Sequence, residues 1–455
     1  MSEYMNLVRV TGVLEMRIVP ERYSPNEYAD NQEAMAKLQQ LMPRATENTA
    51  ENIDKKAQLA SLYLESGCHD QAAIFLAEAL DARRSLWGWG YPKTIQTQEL
   101  LACAFYAQGR IEDAMEQFEA AGRIIVQSLG TEHVLAIQNM FNRGVVMWQL
   151  GKCGGACDTL HQAYKISKRI HGLHHRWTLS TMENLAFMYH FTERPWEAQK
   201  IQQQVVDVRL QVSPCDDSSL LKSAVLLGKI YMDMEWWKET EATYRIIVEL
   251  REKLQGTESP AVLASKANLV TALQKQGRLD QAEKLSIEVL NASNVTLGPE
   301  SPVTMRNQLR LATILGDRGE YTKALKIQQE VLETQEKLFE DFNDEIRHTL
   351  SDISVTFMKL NRYDEAVTVC QRVISALDQH LGMYNPASLS TRIDLAYMFS
   401  QIDRLDEAES TVLGVLNNYG QVQDDSELLS KLREVINTLL QYGRTATFNK
   451  FYFDL

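Results

Sequence analysis

The chain has 455 residues, and 47 Lys and Arg stand against 60 Asp and Glu for a formal net charge of −13. Gly (22) and Pro (10) are scarce for this length, well under their usual joint share of about 12%, which predicts long helices and few turns. Hydrophobic residues at 45% and charged residues at 24% exclude a largely disordered chain, and the acidic balance argues against nucleic acid, whose phosphates need clustered cations. Six unpatterned cysteines (68, 103, 153, 157, 215 and 370) are unlike a secreted disulfide framework. Arg9 and Arg17 interrupt the first apolar stretch, and no run approaches 18 uncharged apolar residues. Neither a secretory leader nor a membrane span is expected, and a cytoplasmic setting follows.

Residues 1–50 are irregular, with helical patterning over Tyr28–Met42 that suggests a degenerate cap. From 51 to 428 the chain repeats itself every 42 residues without insertion. One column reads Ala72, Ala114, Ala156, Ala198, Thr240, Ala282, Ala324, Ala366 and Ala408. A second reads Gly67, Gly109, Gly151, Glu193, Glu235, Gly277, Gly319, Asn361 and Asp403. A third reads Gly88, Gly130, Gly172, Pro214, Gly256, Gly298, Glu340, Gly382 and Asp424.

Each of the nine units reads as two antiparallel helices. In the second unit, helix A is predicted at about 94–107 and helix B at about 111–129. Large residues equivalent to Phe105 and small ones equivalent to Ala102 share a face at helical spacing, so neighbouring units are expected to share a core. Pro92, Pro260, Pro302 and Pro386 recur at the helix A entrance, where a missing N–H costs little. A closing helix is predicted at 426–443, and residues 429–455 are assigned to a C-terminal cap and tail. The predicted fold class is an all-α, α-α solenoid of helix-turn-helix units with capping helices.

The segments NLAFMY (184–189), GRLDQA (277–282) and LGPESP (297–302) resemble tetratricopeptide repeats of the 42-residue kinesin light chain type. The resemblance covers about residues 51–428. It implies a concave surface lined by the A helices that holds an extended peptide. With the recurring alanine counted as position 20, it implies contacts from positions 2, 5, 6, 9, 12 and 13 of each unit.

Carried onto this chain, the N-terminal half of that groove is aromatic: Tyr106, Phe141, Trp148, Phe187, His190 and Phe191, with Val145. Either these residues fill a curved inner wall or they form an exposed binding strip; large exposed apolar patches usually serve a purpose. The second half is cationic, with Lys222, Lys229, Lys275, Arg306 and Arg310, diluted by Asp233, Asp317, Asp352 and Asp394. Asn142, Asn184 and Asn268 share one column, where an amide can donate to and accept from a peptide backbone. The expected partner is a protein or peptide with apolar anchors and acidic residues, bound without chemical change.

Catalytic signals are weak. Glu183 and His190 share a face of one helix near Glu99 and Tyr106, an arrangement that allows acid–base work on a small molecule beside Trp148. An enzyme or small-molecule binder using this aromatic half is therefore the alternative reading. His171, His174 and His175 invite a zinc reading, but they occupy an ordinary inter-unit turn without four-ligand spacing. No phosphate-binding glycine loop, GxSxG or HExxH motif occurs. Neither a cofactor nor a metal is expected.

Overall fold

The computed structural model describes residues 49–212, 217–339, 343–383, 385–419 and 426–442. These residues form helices and turns, with no strand among them. In chain order the helices are α1 (Ala50–Glu65), α2 (His69–Trp87), α3 (Pro92–Ala107), α4 (Ile111–Ser128), α5 (Val134–Gln149), α6 (Cys153–His171), α7 (Arg176–Phe191), α8 (Pro195–Val212), α9 (Asp217–Asp233) and α10 (Trp237–Gln255). There follow α11 (Pro260–Lys275), α12 (Leu279–Leu297), α13 (Pro302–Asp317), α14 (Tyr321–Leu338), α15 (Asp344–Lys359), α16 (Tyr363–Leu381), α17 (Pro386–Gln401), α18 (Leu405–Tyr419) and α19 (Ser426–Gln441). Odd-numbered helices up to α17 are the A helices and even-numbered ones the B helices. The expected cap at Tyr28–Met42 lies outside the described residues, as do Pro214, Cys215, Glu340 and Asp424.

The helices group into two compact units, divided after Leu250 within α10. In unit 1, α1 to α9 pack each on the next, and in unit 2, α11 to α19 do the same. This is an all-α solenoid arrangement, built from contacts between chain neighbours.

The periodic columns explain the packing. Ala72, Ala114, Ala156, Ala198, Thr240, Ala282, Ala324, Ala366 and Ala408 are each fully buried near the start of a B helix. Only a small side chain lets the A and B helices of one unit approach there. At Gly144 even a methyl group would lie 2.8 Å from Leu160 Cγ, so α5 and α6 meet closely. The turn before each B helix needs a left-handed residue. Gly67, Gly109, Gly151, Gly277 and Gly319 take it with φ of 73–81°, and Glu193, Glu235, Asn361 and Asp403 are forced into the same conformation at φ 57–62°.

The following residue closes the turn in a recurrent way. Arg110 lies 4.1 Å over the Phe105 ring, and Arg194, Arg362 and Arg404 lie over Tyr189, Phe357 and Phe399 in the same manner. Each of these guanidiniums also bonds an acid three residues on, as Arg110 does Asp113. Cation–π contact and ion pair together favour arginine after the left-handed residue in these four turns.

Pro92, Pro260, Pro302 and Pro386 open their A helices at the first turn, as expected. The closing helix α19 buries Leu428, Leu432, Val435, Ile436 and Leu439 in the core of unit 2.

Candidate functional site

The A-helix positions picked out by the repeat pattern fall into two sets, one per compact unit. In unit 1, Phe141, Val145 and Trp148 follow one another on α5 at spacings of four and three, as Phe187 and Phe191 do at four on α7. Trp148 meets Phe187 edge-on at a centroid distance of 6.2 Å, and Phe187 tilts against Phe191 at 4.7 Å. His190 meets the Phe191 ring at 4.9 Å.

Burial separates the groove positions of unit 1. Phe141, Asn142, Asn184 and Phe187 are all buried. They join a core with Leu185, Met188, Leu226 and Ile230 in the case of the two phenylalanines. Asn184 Nδ2 donates to the Ser180 carbonyl at 2.9 Å. Tyr106 and Trp148 are half-buried and Phe191 is exposed, so these three carry the accessible aromatic surface. The other tryptophans sit elsewhere: Trp87 at the end of α2 and Trp89 in the turn after it, Trp177 at the start of α7, and Trp196, Trp236 and Trp237 at the start of B helices.

The titratable groups on this face are committed to partners. His190 Nε2 lies 3.0 Å from Asp233 Oδ2, and Lys229 Nζ lies 3.0 Å from Asp233 Oδ1. Burial pushes the Asp233 carboxyl up, but the hydrogen bonds from His190 and Lys229 outweigh it and hold the group below its usual range. Glu183 receives Arg209 Nη2 at 2.8 Å and the Ser223 hydroxyl at 2.5 Å. It therefore braces α7 to α8 and α9. The two candidate acid–base groups, Glu183 and His190, each answer to a different partner. Lys229 is likewise a paired cation, while Lys222 is exposed on the same helix.

Glu99 on α3 is fully enclosed. Asn139 Nδ2 donates to its Oε1 at 2.5 Å, and also to the Phe118 carbonyl at 2.8 Å. Burial pushes the Glu99 carboxyl up to about 8, against the opposing pull of Asn139, Asn142 and Arg143. An open recess of about 370 Å³ lies between α4 and α5, lined by Glu119, Arg123, Gln127 and Arg143. It does not include Glu183, His190 or Trp148.

In unit 2, Arg310 Nη1 donates to Asn307 Oδ1 at 2.8 Å, and burial with the nearby Arg306 charge lowers its affinity for a proton. Arg306 is exposed, Asn268 half-buried and Lys275 exposed. Asp317 accepts from Gln274 Nε2 at 2.6 Å, and burial raises the Asp394 carboxyl against the pull of Lys431.

The histidine turn has a structural explanation. His175 caps α7 by accepting the Trp177 N–H at Nδ1, 3.3 Å away, and His171 stacks on it at 4.4 Å. Among the described residues no group of three or more His, Cys, Asp or Glu is placed to hold a metal ion.

One set of residues escaped the sequence reading. Arg83, Arg209 and Arg251, near the ends of B helices, each donate to a carbonyl at the start of the next A helix. Arg83 adds Thr97 and Asp54, both at 2.5 Å, and Arg251 adds Ser265 at 2.7 Å. These arginines share one 42-residue column, which is the signal that would have found them.

A family model for the tetratricopeptide repeat matches residues 52–125, 133–211, 262–337 and 303–379. The chain belongs to the tetratricopeptide repeat family. Such arrays are generally scaffolds for protein or peptide partners, since stacked repeats offer an extended binding surface. Among solved structures, the apo form of RapI is 12% identical with a TM-score of 0.58, covering 81% of this chain and 98% of that one. The apo form of the quorum sensor NprR from B. thuringiensis is also 12% identical, with a TM-score of 0.51 and coverages of 81% and 99%. Kinesin light chain-like repeats are represented by a putative kinesin light chain from Podosopora anserina, 23% identical over 45% of this chain and 98% of that one, with a TM-score of 0.41. No curated protein matches the chain. No helix among the described residues is long and apolar enough to cross a membrane.

Proposed function

We propose that this tetratricopeptide protein is a non-catalytic adaptor whose A-helix face in unit 1 holds an extended peptide segment. The observation that carries the reading is the aromatic row of Tyr106, Trp148 and Phe191, open or part open, backed by the buried Phe187 ring. Aromatic anchors supply large contact area with few rotatable bonds. The engagement of Glu183 by Arg209 and Ser223 favours support over acid–base work. In unit 2, Arg306 and Arg310, with Asn268 and exposed Lys275, suit acidic side chains of a partner. The free thiols of Cys103, Cys157 and Cys370 fit a cytoplasmic setting.

The test is selection of random peptides against the full chain, followed by affinity measurement on Tyr106→Ala and Trp148→Ala variants. Loss of an aromatic anchor costs about 2 kcal/mol or more, roughly 30-fold in Kd. Selected peptides are expected to share apolar residues and to lose that affinity on either variant. Unchanged affinity on both variants would refute the reading. Charge reversal of Arg306 and Arg310 is expected to weaken those peptides that carry acidic residues.

A further inference from the structure

The junction between α4 and α5 breaks two residue columns at once. In the eight other repeats the column of Gly122 carries Leu, Val, Ile or Tyr, and that of Arg143 carries Leu or Ile. The equivalent pairs Leu80 with Leu101, Val206 with Leu227, and Ile374 with Leu395 each share one apolar cluster. Between α4 and α5 a glycine and a guanidinium stand in their place. The exchange gives up apolar burial and takes on the desolvation of a charge, so packing does not favour it. Local rules are broken in this way chiefly at functional sites.

Gly122 and Arg143 both line the open recess of about 370 Å³. That is about a dozen water volumes, room for a metabolite-sized group. A methyl group on Gly122 would lie 2.6 Å from Asn139 Oδ1 and 3.7 Å from Arg143 Nη1, so the glycine lets these polar groups approach α4. Arg143 makes no hydrogen bond or ion pair with any described residue, and its Nε is shut off from water. Glu99 attracts its charge, but burial pushes that carboxyl up to about 8, which leaves it mostly protonated at neutral pH. The guanidinium therefore lacks a full counter-charge in the fold. Glu119, Arg123 and Gln127 follow one another at spacings of four on α4 and line the same recess. Arg123 is exposed and has no ion pair among the described residues.

We propose that this recess is a carboxylate-binding site, in which Arg123 and Arg143 hold the two oxygens and Glu119 accepts from a hydroxyl or amine of the same ligand. Two guanidiniums and one carboxylate leave a single positive charge, which matches one carboxylate better than a phosphate dianion. Val126 supplies an apolar patch for the ligand's carbon atoms. Tyr106, Trp148 and Phe191 take no part in the recess, so the site stands apart from the peptide-binding reading.

The test titrates the full chain at fixed ionic strength with lactate, with the capped peptide Ac-Ala-Asp-Ala-NH2, and with inorganic phosphate, using ligand-observed NMR. Saturable binding of lactate or the peptide is expected, with a Kd of about 1–10 mM. Tighter lactate binding identifies the source as a free hydroxy acid, and tighter peptide binding identifies it as an acidic side chain of a partner. Saturation by neither, or phosphate binding more tightly than both, would overturn the proposal. A Gly122→Leu, Arg143→Leu double variant restores the aliphatic pair of the other repeats and is expected to weaken binding at least tenfold. Arg123→Gln, at an exposed helix position, is expected to weaken it at least threefold without touching the core. Unchanged affinity in either variant would also overturn the proposal.

Discussion

Asn139 of α5 donates through Nδ2 to Oε1 of Glu99 on α3 across 2.5 Å, inside a site that solvent does not reach. The carboxyl has an ordinary value of 4.5 and is pushed up to about 8 by burial. Between those values the unfolded chain releases a proton that the folded chain keeps. Its stabilising contribution is therefore complete below about 4.5 and lost as pH rises through about 8. A Glu99→Gln variant keeps the hydrogen-bonding shape without the proton. Relative to wild type, it should gain about 2–4 kcal/mol between pH 5 and pH 8.5 in urea unfolding.

Arg83 is fully buried, and its guanidinium serves Asp54, Thr97 and the Lys93 carbonyl at once. Arg83→Met retains most of the volume and strands three polar partners, an expected loss of about 2–4 kcal/mol. Asp54→Asn is expected to cost less, because its side chain is 31% exposed. The double variant should lose less than the two singles together, a coupling that thermal unfolding can measure.

Glu183 offers a direct contrast between support and catalysis. If it braces Arg209 and Ser223, Glu183→Ala leaves a nearly buried guanidinium without its counter-charge and costs about 3 kcal/mol. Removing both charges with Glu183→Leu and Arg209→Met should restore part of that stability. Calorimetry on the three variants decides the matter, and no restoration would count against the brace.

Glu235 holds φ at 57° in a turn where five of the nine units carry glycine. The left-handed conformation costs a side-chain residue about 1–2 kcal/mol, partly offset by the greater freedom of an unfolded glycine. Glu235→Gly should therefore raise stability by about 0.5–1 kcal/mol. Gly298→Ala should do the reverse: φ of 82° with ψ of 161° is essentially a glycine-only region, and a cost of about 1–3 kcal/mol is expected although open space surrounds it.

Much of the local architecture was legible in residue columns. The recurring small residue, alanine in eight units and Thr240 in the other, is buried in all nine, and the glycine column marks left-handed turns even where Glu193 or Asp403 replaces glycine. The site was less legible. Spacing put Phe141, Trp148 and Phe187 on one face, but it could not say that Trp148 keeps an open edge while the phenylalanines are enclosed. Asp233 was visible four residues from Lys229, yet its second bond, to His190 on another helix, depends on packing. The Glu183–Arg209 contact joins residues 26 apart, with no motif to announce it.

The amino-acid sequence alone determined the repeat length, the pairing of helices, the turns and membership of the helical class. That follows because a solenoid is built from contacts between chain neighbours, and these recur with the sequence. Only the tertiary structure decided which faces are enclosed, which charges are already paired, and that the helices gather into two compact units. Those outcomes depend on side chains brought together from different repeats, where the period of 42 no longer specifies the residue.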